Sequence, residues 1–202
     1  MPSQIIQQGA EAIILKEGDN IIKRRIKKSY RIKELDEKIR RQRTRSESKL
    51  LEKASKIISI PKITKMDDKQ MEIFMEFIQG KKLSEELNSF PLKEQKKICF
   101  QIGESIAKLH DKDIIHGDLT TSNTILKEKK VYFIDFGLGF NSHRIEDKAV
   151  DLHLIKQALE AKHFKDWETL FQSIKEGYNH SKDSKKTLEQ LEKVEKRGRY
   201  KH

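Results

Sequence analysis

IHGDLTTSNTILKEKKVYFIDFGLGF, residues Ile115–Phe140, decides the reading of this chain. It opens with His116-Gly117-Asp118 and sets Asn123 five residues beyond the aspartate. It closes on Asp135-Phe136-Gly137 and the short run to Phe140, with the apolar stretch Val131–Ile134 just before Asp135. Further back lie a first apolar run, Thr124–Leu126, and a charged turn, Lys127–Lys130. Two short apolar runs around a short polar turn predict a tight β-hairpin. Such a hairpin brings Asp118, Asn123 and Asp135 to one end of a small sheet.

The residue types at that end have a chemical logic. Asp135 and Asn123 offer hard oxygen ligands of the kind Mg²⁺ takes when it bridges phosphates. Asp118 is a candidate to orient an attacking hydroxyl or water and to accept its proton. Together they fit transfer of a γ-phosphoryl group, where positioning and charge neutralisation supply most of the catalysis. A surface hairpin with scattered aspartates is the plain alternative, and either motif alone would not displace it. Both, in order and at this spacing around a hairpin, resemble the catalytic loop and metal-binding segment of protein kinases.

The chain has 202 residues, 37% of them charged, and a formal net charge of +11. That length suits one or two small domains with a real core. The basic balance points to a polyanionic partner. The one cysteine, Cys99, lies on an apolar helical pattern. That leaves no disulfide framework and leads us to expect a reducing, cytoplasmic compartment. No stretch has a secretory signal pattern or approaches the apolar length of a membrane span. No internal repeat or low-complexity linker interrupts the chain.

Upstream, Ser3–Gln8, Ala10–Leu15 and Asn20–Ile26 read as strands, with Glu17-Gly18-Asp19-Asn20 as a turn. Gly9-Ala10-Glu11-Ala12 sits where kinases keep a glycine-rich cover over the nucleotide. With one glycine in it, a plain hairpin turn fits equally well. Lys23, on the third strand, is the candidate to reach the α- and β-phosphates, with Lys16 and Lys27 as rivals by register. Residues 32–56 predict a long helix with Ile32, Leu35, Ile39, Leu50, Leu51 and Ala54 on its apolar face. Glu47 on that helix is the best candidate to pair with Lys23, and Glu52 is its rival. From Lys23 to Arg45 there are 12 Lys/Arg against three acids, a local net of +9. Crowding of one sign is costly without an anionic partner, although a solvated helix face is the simpler explanation.

Pro61 ends that region. Ile63–Met66 and Met71–Phe77 read as two more strands, and Glu76–Gly80 as a hinge between two lobes, 1–78 and 79–202. The backbone of Glu76 and Ile78 is then placed to bind an adenine edge. Ile14 and Met75 either flank the ring or are simply core. Ser84–Asn88 reads as a short helix. Leu92–His110 reads as a long one, with Ile98, Ile102, Ile106 and Leu109 at spacings of four, four and three. His116 reads as a packed structural residue. Only 15 residues separate Asp135 from Asp151, and no proline follows Pro91, so the Ala-Pro-Glu element of ordinary kinases is absent.

Asp151 is a candidate to anchor the next helix and brace the catalytic loop. Helices are expected over 151–161, 165–178 and 184–196, the last with an apolar stripe of Leu188, Leu191 and Val194. The basic tail Lys196–His202 is either a frayed end or a contact to nucleic acid or the active site. The expected fold class is α+β: a two-lobed minimal kinase-like fold. A small β-rich N-lobe would carry one long helix, and the C-lobe would be mostly helical.

As a whole the chain resembles one family, the small atypical Bud-type kinase/ATPase of the KEOPS tRNA-modification complex. The stretches that carry the resemblance are QGAEA at 8–12, IIKRRIKKSYRIKELD at 21–36, RTRSE at 43–47, IIHGDLTTSN at 114–123, IDFGLGF at 134–140, EDKAVDL at 146–152 and KRGR at 196–199. The basic strand-to-helix block and the short run from Asp135 to Leu152 are its more specific parts; HGDL is shared with other small kinases and with antibiotic phosphotransferases. The tail departs from the pattern, being short after Arg199 with Tyr200 where a basic residue is common. The resemblance implies that Lys23 and Glu47 position the nucleotide, that Asp118 is the catalytic carboxylate, and that Asn123 and Asp135 hold the metal. It implies ATP and Mg²⁺ as cofactors.

The implied partners are a threonylcarbamoyl-transferase subunit, a small helical regulatory subunit and a dimer-forming bridging subunit, acting together on tRNA. ATP hydrolysis would support threonylcarbamoyl-adenosine synthesis, with autophosphorylation on serine or threonine. Two other functions compete. One is an independent serine/threonine kinase or small-molecule phosphotransferase, which the missing peptide platform and the lack of an added substrate lobe disfavour. The other is a catalytically inactive tRNA-binding scaffold, which the intact lysine, aspartates and Asn123 disfavour.

Overall fold

A computed structural model of the chain describes residues 4–199. The expectations for Ser3 and for Tyr200–His202 lie outside the described residues. Strands β1 (Gln4–Gln8), β2 (Ala12–Glu17) and β3 (Asn20–Arg25) form an antiparallel meander. Helix α1 (Lys33–Ala54) follows, and β4 (Ile63–Asp67) and β5 (Glu72–Glu76) complete a five-stranded sheet in the order β1-β2-β3-β5-β4. β3 is therefore central, with Lys23 opposite Ile14 on one side and Ile73 on the other. Successive side chains of a strand face opposite ways, so Ile21, Lys23 and Arg25 share one face of β3, and all three are buried.

The second half begins with β6 (Lys81–Lys82) and α2 (Leu83–Glu86), extended by a 3₁₀ turn at Leu87–Ser89. Helix α3 (Leu92–His110) leads to β7 (Ile114–Ile115), and then come β8 (Thr124–Lys127), β9 (Lys130–Phe133) and β10 (Phe140–Asn141). Helices α4 (Ile145–Lys162), α5 (Trp167–Tyr178) and α6 (Ser184–Arg199) close the fold. The β8–β9 hairpin pairs Thr124 with Phe133 and Lys127 with Lys130. Its two turn residues, Glu128 and Lys129, have φ of 50° and 63°. That is the primed turn whose twist matches the flanking strands, built here without glycine or asparagine. The core runs along α3, where Cys99, Ile102 and Ile106 are each 0% exposed, and α5 packs on it with Leu170, Ile174 and Tyr178. Burial pushes the Cys99 thiol up to about 12.

The hairpin, α3 and the kinase-like α+β plan agree with the sequence reading, but three details do not. Helix α1 buries only the C-terminal half of the apolar face expected of it: Leu50, Leu51 and Ala54 are buried, but Ile32 is 73% and Leu35 49% exposed. In their place the first turns bury Asp36 and Thr44, then Glu47 and Ser48, and the apolar contacts begin only at Leu50. Asp36 decides this rotation. It accepts from Arg40 Nε at 2.7 Å and from the Lys28 N–H at 3.2 Å, folding the preceding loop onto the helix. Burial opposes its charge, yet the Arg40 and Lys28 hydrogen bonds win and hold its carboxyl below the usual range.

Second, α4 starts at Ile145, six residues earlier than expected, with Glu146 and Asp147 in its first turn, where negative charge suits the helix dipole. Third, the basic block is largely neutralised by carboxylates of the same chain, most of them outside the block. Nine of its 12 cations have a carboxylate within 4 Å, including Arg40 with Asp36, Arg43 with Glu11, and Arg41 and Arg45 with Asp68. Lys27, Lys33 and Lys38 are the remainder, so the block presents far less free charge than its composition implies. Among the described residues, no helix is long and apolar enough to cross a membrane.

Candidate active site

A cleft of about 250 Å³ lies between the five-stranded sheet and the β8–β9 hairpin, bordered by Lys23, Glu47, Asn123 and Asp135. β3 delivers Lys23 to it and α1 delivers Glu47. Lys23 Nζ donates to Glu47 Oε1 at 2.7 Å and to Asp135 Oδ1 at 2.6 Å. Burial works against the Lys23 charge, but the two carboxylates outweigh it and hold its pKa above the ordinary lysine value. Of the rivals, Lys16 stacks on the Phe77 ring at 3.9 Å, and Lys27 and Glu52 are exposed.

Asp135 sits at φ 63°, a left-handed conformation that aspartate adopts more readily than most residues. Its Oδ1 also accepts the Gly137 N–H at 3.0 Å. A Cβ on Gly137 would lie 2.9 Å from that oxygen and 3.3 Å from Lys23 Nζ, so a side chain there would crowd the cluster and push the Asp135 carboxylate aside. Burial raises the Asp135 pKa, but the Lys23 charge, the Lys23 hydrogen bond and the Gly137 N–H together outweigh it, and the net position is below the usual carboxylate range. Phe136, fully buried, packs against the His116 ring at 4.5 Å.

The catalytic-loop segment is fixed by its own hydrogen bonds. Asn123 Nδ2 donates to the Asp118 carbonyl at 2.9 Å and to Asp118 Oδ2 at 2.8 Å. With both amide hydrogens committed, Asn123 Oδ1 remains an oxygen donor towards the cleft. The Ile134 N–H binds the Asn123 carbonyl at 3.0 Å and so seats Asn123 beside Asp135. His116 is buried and structural: its Nε2–H donates to the Ile134 carbonyl at 3.2 Å, and its Nδ1 accepts the Asp118 N–H at 3.3 Å. Burial lowers its pKa, in keeping with a neutral ring.

Gly117 has φ 77°, and a Cβ there would collide with the Leu138 carbonyl, which explains Gly between His116 and Asp118. Asp151, in the second turn of α4, accepts the His116 and Gly117 N–H groups at 2.8 and 2.9 Å. His110 Nε2–H donates to the same carboxylate at 3.2 Å, and Tyr178 O–H donates to His110 Nδ1 at 2.9 Å. The brace from Asp151 agrees with the sequence reading, while its support from α3 and α5 was not visible there.

Among the described residues, no group of three or more His, Cys, Asp or Glu side chains converges to hold a metal by itself. Asn123 and Asp135 nevertheless fit Mg²⁺, which commonly takes one or two protein oxygens and completes its shell with phosphate and water. At the other end of the cleft, the buried Ile78 has no hydrogen-bond partner for its N–H among the described residues, and Glu76 stands two residues before it. Ile14 and Met75 border this end too. A buried residue with an unpartnered amide at the border of such a cleft suits a flat heteroaromatic ligand.

The Gly9–Ala12 turn borders a second cavity, of about 260 Å³, together with Lys23, Asp118 and Asp135. The Gly9 N–H closes the turn on the Ala12 carbonyl at 2.9 Å, and Glu11 is held to α1 by Arg43 at 2.7 Å. A Cβ on Gly9 would meet nothing closer than 3.7 Å, so this turn does not itself demand glycine. The sequence reading missed Arg25, whose Nη2 donates to Glu47 Oε2 at 2.5 Å. The signal was available, because residues two apart on a strand share a face with Lys23.

Comparison with known proteins agrees with this arrangement. The protein kinase domain family model matches residues 11–151. The chain is 44% identical to the KEOPS complex subunit Bud32 of Pyrococcus abyssi, over 98% of this chain and 96% of that protein. It is 41% and 42% identical to two proteins named probable bifunctional tRNA threonylcarbamoyladenosine biosynthesis protein, from Methanobrevibacter smithii and Methanosphaera stadtmanae. Those matches cover 100% and 99% of this chain but span only 38% and 37% of the longer relatives.

Proposed function

The chain belongs to the Bud32 family of protein kinase-like proteins, and from that premise we propose that it is a Mg²⁺-dependent ATPase and atypical serine/threonine kinase. In this reading it supports threonylcarbamoyladenosine modification of tRNA as a cytoplasmic subunit of a KEOPS complex. Its partners there are the threonylcarbamoyl-transferase, small helical and bridging subunits. The observation that carries the reading is the clasp of Lys23 by Glu47 and Asp135, at 2.7 and 2.6 Å, beside the Asn123–Asp118 pair.

Lys23 holds the α- and β-phosphates, and Glu47 keeps it aimed at them. The Ile78 N–H and the Glu76 carbonyl meet the adenine edge at a hinge between lobes 1–78 and 79–202. The Gly9-Ala10-Glu11-Ala12 turn covers the phosphates from above. Asn123 and Asp135 would hold Mg²⁺, which would supply charge neutralisation for the transferring phosphoryl group. Asp118 orients the acceptor oxygen, water or hydroxyl, and takes its proton as the new P–O bond forms.

The short run from Asp135 to α4 gives a peptide little to dock on, which favours water or a partner's surface over free peptides as the acceptor. The test is tRNA modification by the assembled complex. With Asp135→Ala in place of the wild-type chain, threonylcarbamoyladenosine formation should fall at least about 100-fold. Formation at the wild-type rate would overturn the proposal.

A further inference from the structure

We infer that Arg25 is a second phosphate-binding residue, one that reads the γ-phosphate; this rests on the ATP reading above. Lys23 and Arg25 lie two apart on β3 and reach the same carboxylate, Glu47, through Oε1 and Oε2 at 2.7 and 2.5 Å. All three side chains are at most 8% exposed. One carboxylate thus serves two cations, and Lys23–Glu47–Arg25 carries a net positive charge. Asp135, 46% exposed, offsets it now through Lys23, but a carboxylate engaged on Mg²⁺ no longer does so fully. A buried cation without its counter-charge is costly, so an anion is needed at this spot.

The cavities give that anion its position. Lys23 and Asp135 border both of them. Arg25 borders only the cavity that contains Asp118 and the Gly9–Ala12 turn, and not the one that reaches Ile78. It therefore stands at the acceptor end of the nucleotide, where the terminal phosphate lies. Nη2 is 3.5 Å from where a Cβ on Gly137 would sit, in the gap between the Asp135 segment and β3. Glu47 takes one of the five guanidinium N–H groups, and no other described side chain or carbonyl accepts from the Arg25 guanidinium. The remaining donors form a planar fork that matches phosphate oxygens. No bond changes at Arg25; it would donate hydrogen bonds to the terminal phosphate's oxygens while the P–O bond to ADP breaks and the one to the acceptor oxygen forms.

The experiment is titration of the intact chain with Mg²⁺ and either ADP or a non-hydrolysable ATP analogue, for wild type, Arg25→Gln and Arg25→Lys. Arg25→Gln should weaken the ATP analogue about 10-fold or more and ADP less than about 3-fold, as expected for loss of a charged hydrogen bond to the terminal phosphate. Arg25→Lys keeps the charge and loses the fork, and should fall between the two. If Arg25→Gln does not fold, an unchanged ATP-to-ADP preference in Arg25→Lys overturns the inference. Equal weakening of both nucleotides, or of neither, also overturns it and leaves Arg25 as a prop for Glu47. A wild-type chain that binds neither nucleotide would bring down the ATP reading, and this inference with it.

Discussion

Helices α1 and α3 are of similar length and bury opposite chemistry. α3 turns Ile98, Cys99, Ile102, Ile106 and Leu109 inward, while α1 turns Asp36, Thr44, Glu47 and Ser48 inward before its apolar end. α3 is placed by the hydrophobic effect and α1 by ion pairs to a neighbouring strand and loop. A helix of the first kind is specified by its own periodicity. One of the second kind is specified by residues far away in sequence, here Lys23, Arg25 and Asp135. The polar interior lies where the proposed function places the nucleotide, while the helical half is built on apolar contacts.

Substituting one buried residue in each helix sharpens the contrast. Glu47→Gln leaves Lys23 and Arg25 without their shared carboxylate and should cost about 4 kcal/mol, the scale for breaking a buried ion pair. Nucleotide affinity should fall with it. Ile102→Ala, in the middle of α3, should cost about 3 kcal/mol through the cavity it leaves, with turnover per folded molecule unchanged. Denaturant melts alongside nucleotide titrations read both. If Glu47→Gln binds nucleotide like wild type, the helices differ only in composition and not in purpose.

A smaller effect is expected at Asp36. Asp36→Ala should destabilise by about 2 kcal/mol, because Arg40 and the Lys28 N–H lose a buried acceptor. The same melts measure it, and a neutral result would mean that α1 is oriented by something other than this carboxylate. Smallest of all, Ile32→Gln and Leu35→Gln should stay within about 0.5 kcal/mol of wild type, as for exposed positions elsewhere.

Much of the second half was legible. The spacing of Ile98, Ile102 and Ile106 gave α3 residue for residue, and the two motifs around Lys127–Lys130 gave the hairpin. The N-terminal half was legible in its parts but not in its rotation. Ile32, Leu35 and Ile39 have helical spacing, so an apolar face was the natural inference. The pairing of Asp36 with Arg40 four residues on is local to α1, but nothing there says that the Lys28 amide will fold over Asp36 and bury it. Charge counting failed for the same reason: Asp68 and Glu11, which neutralise Arg41, Arg43 and Arg45, lie outside the block. The earlier start of α4 was missed because Glu146 and Asp147 were undervalued as first-turn acids.

The helical half also carries a pH dependence. His163 is 2% exposed, its Nδ1–H donating to Asn88 Oδ1 at 2.7 Å and its Nε2 accepting Thr121 O–H at 3.1 Å. Burial, and then the nearby Lys162 charge, hold its pKa below 6.5. The unfolded chain therefore takes up this proton first as pH drops. Stability is full above pH ~6.5 and declines as pH falls through the folded value. Denaturant midpoints between pH 7.5 and 5 should decline, and less so in His163→Gln; an equal decline in both would assign the effect elsewhere.

The central claim is that the polar interior between β3, α1 and the hairpin is a phosphoryl-transfer site. Mg²⁺-dependent ATP turnover, measured side by side for wild type, Asp118→Ala and Asp135→Ala in the presence of partner subunits, tests it most directly. Each variant should lose about 3 kcal/mol or more of transition-state stabilisation, roughly 100-fold in rate, while still melting as a folded protein. Wild-type turnover in both variants would contradict the account.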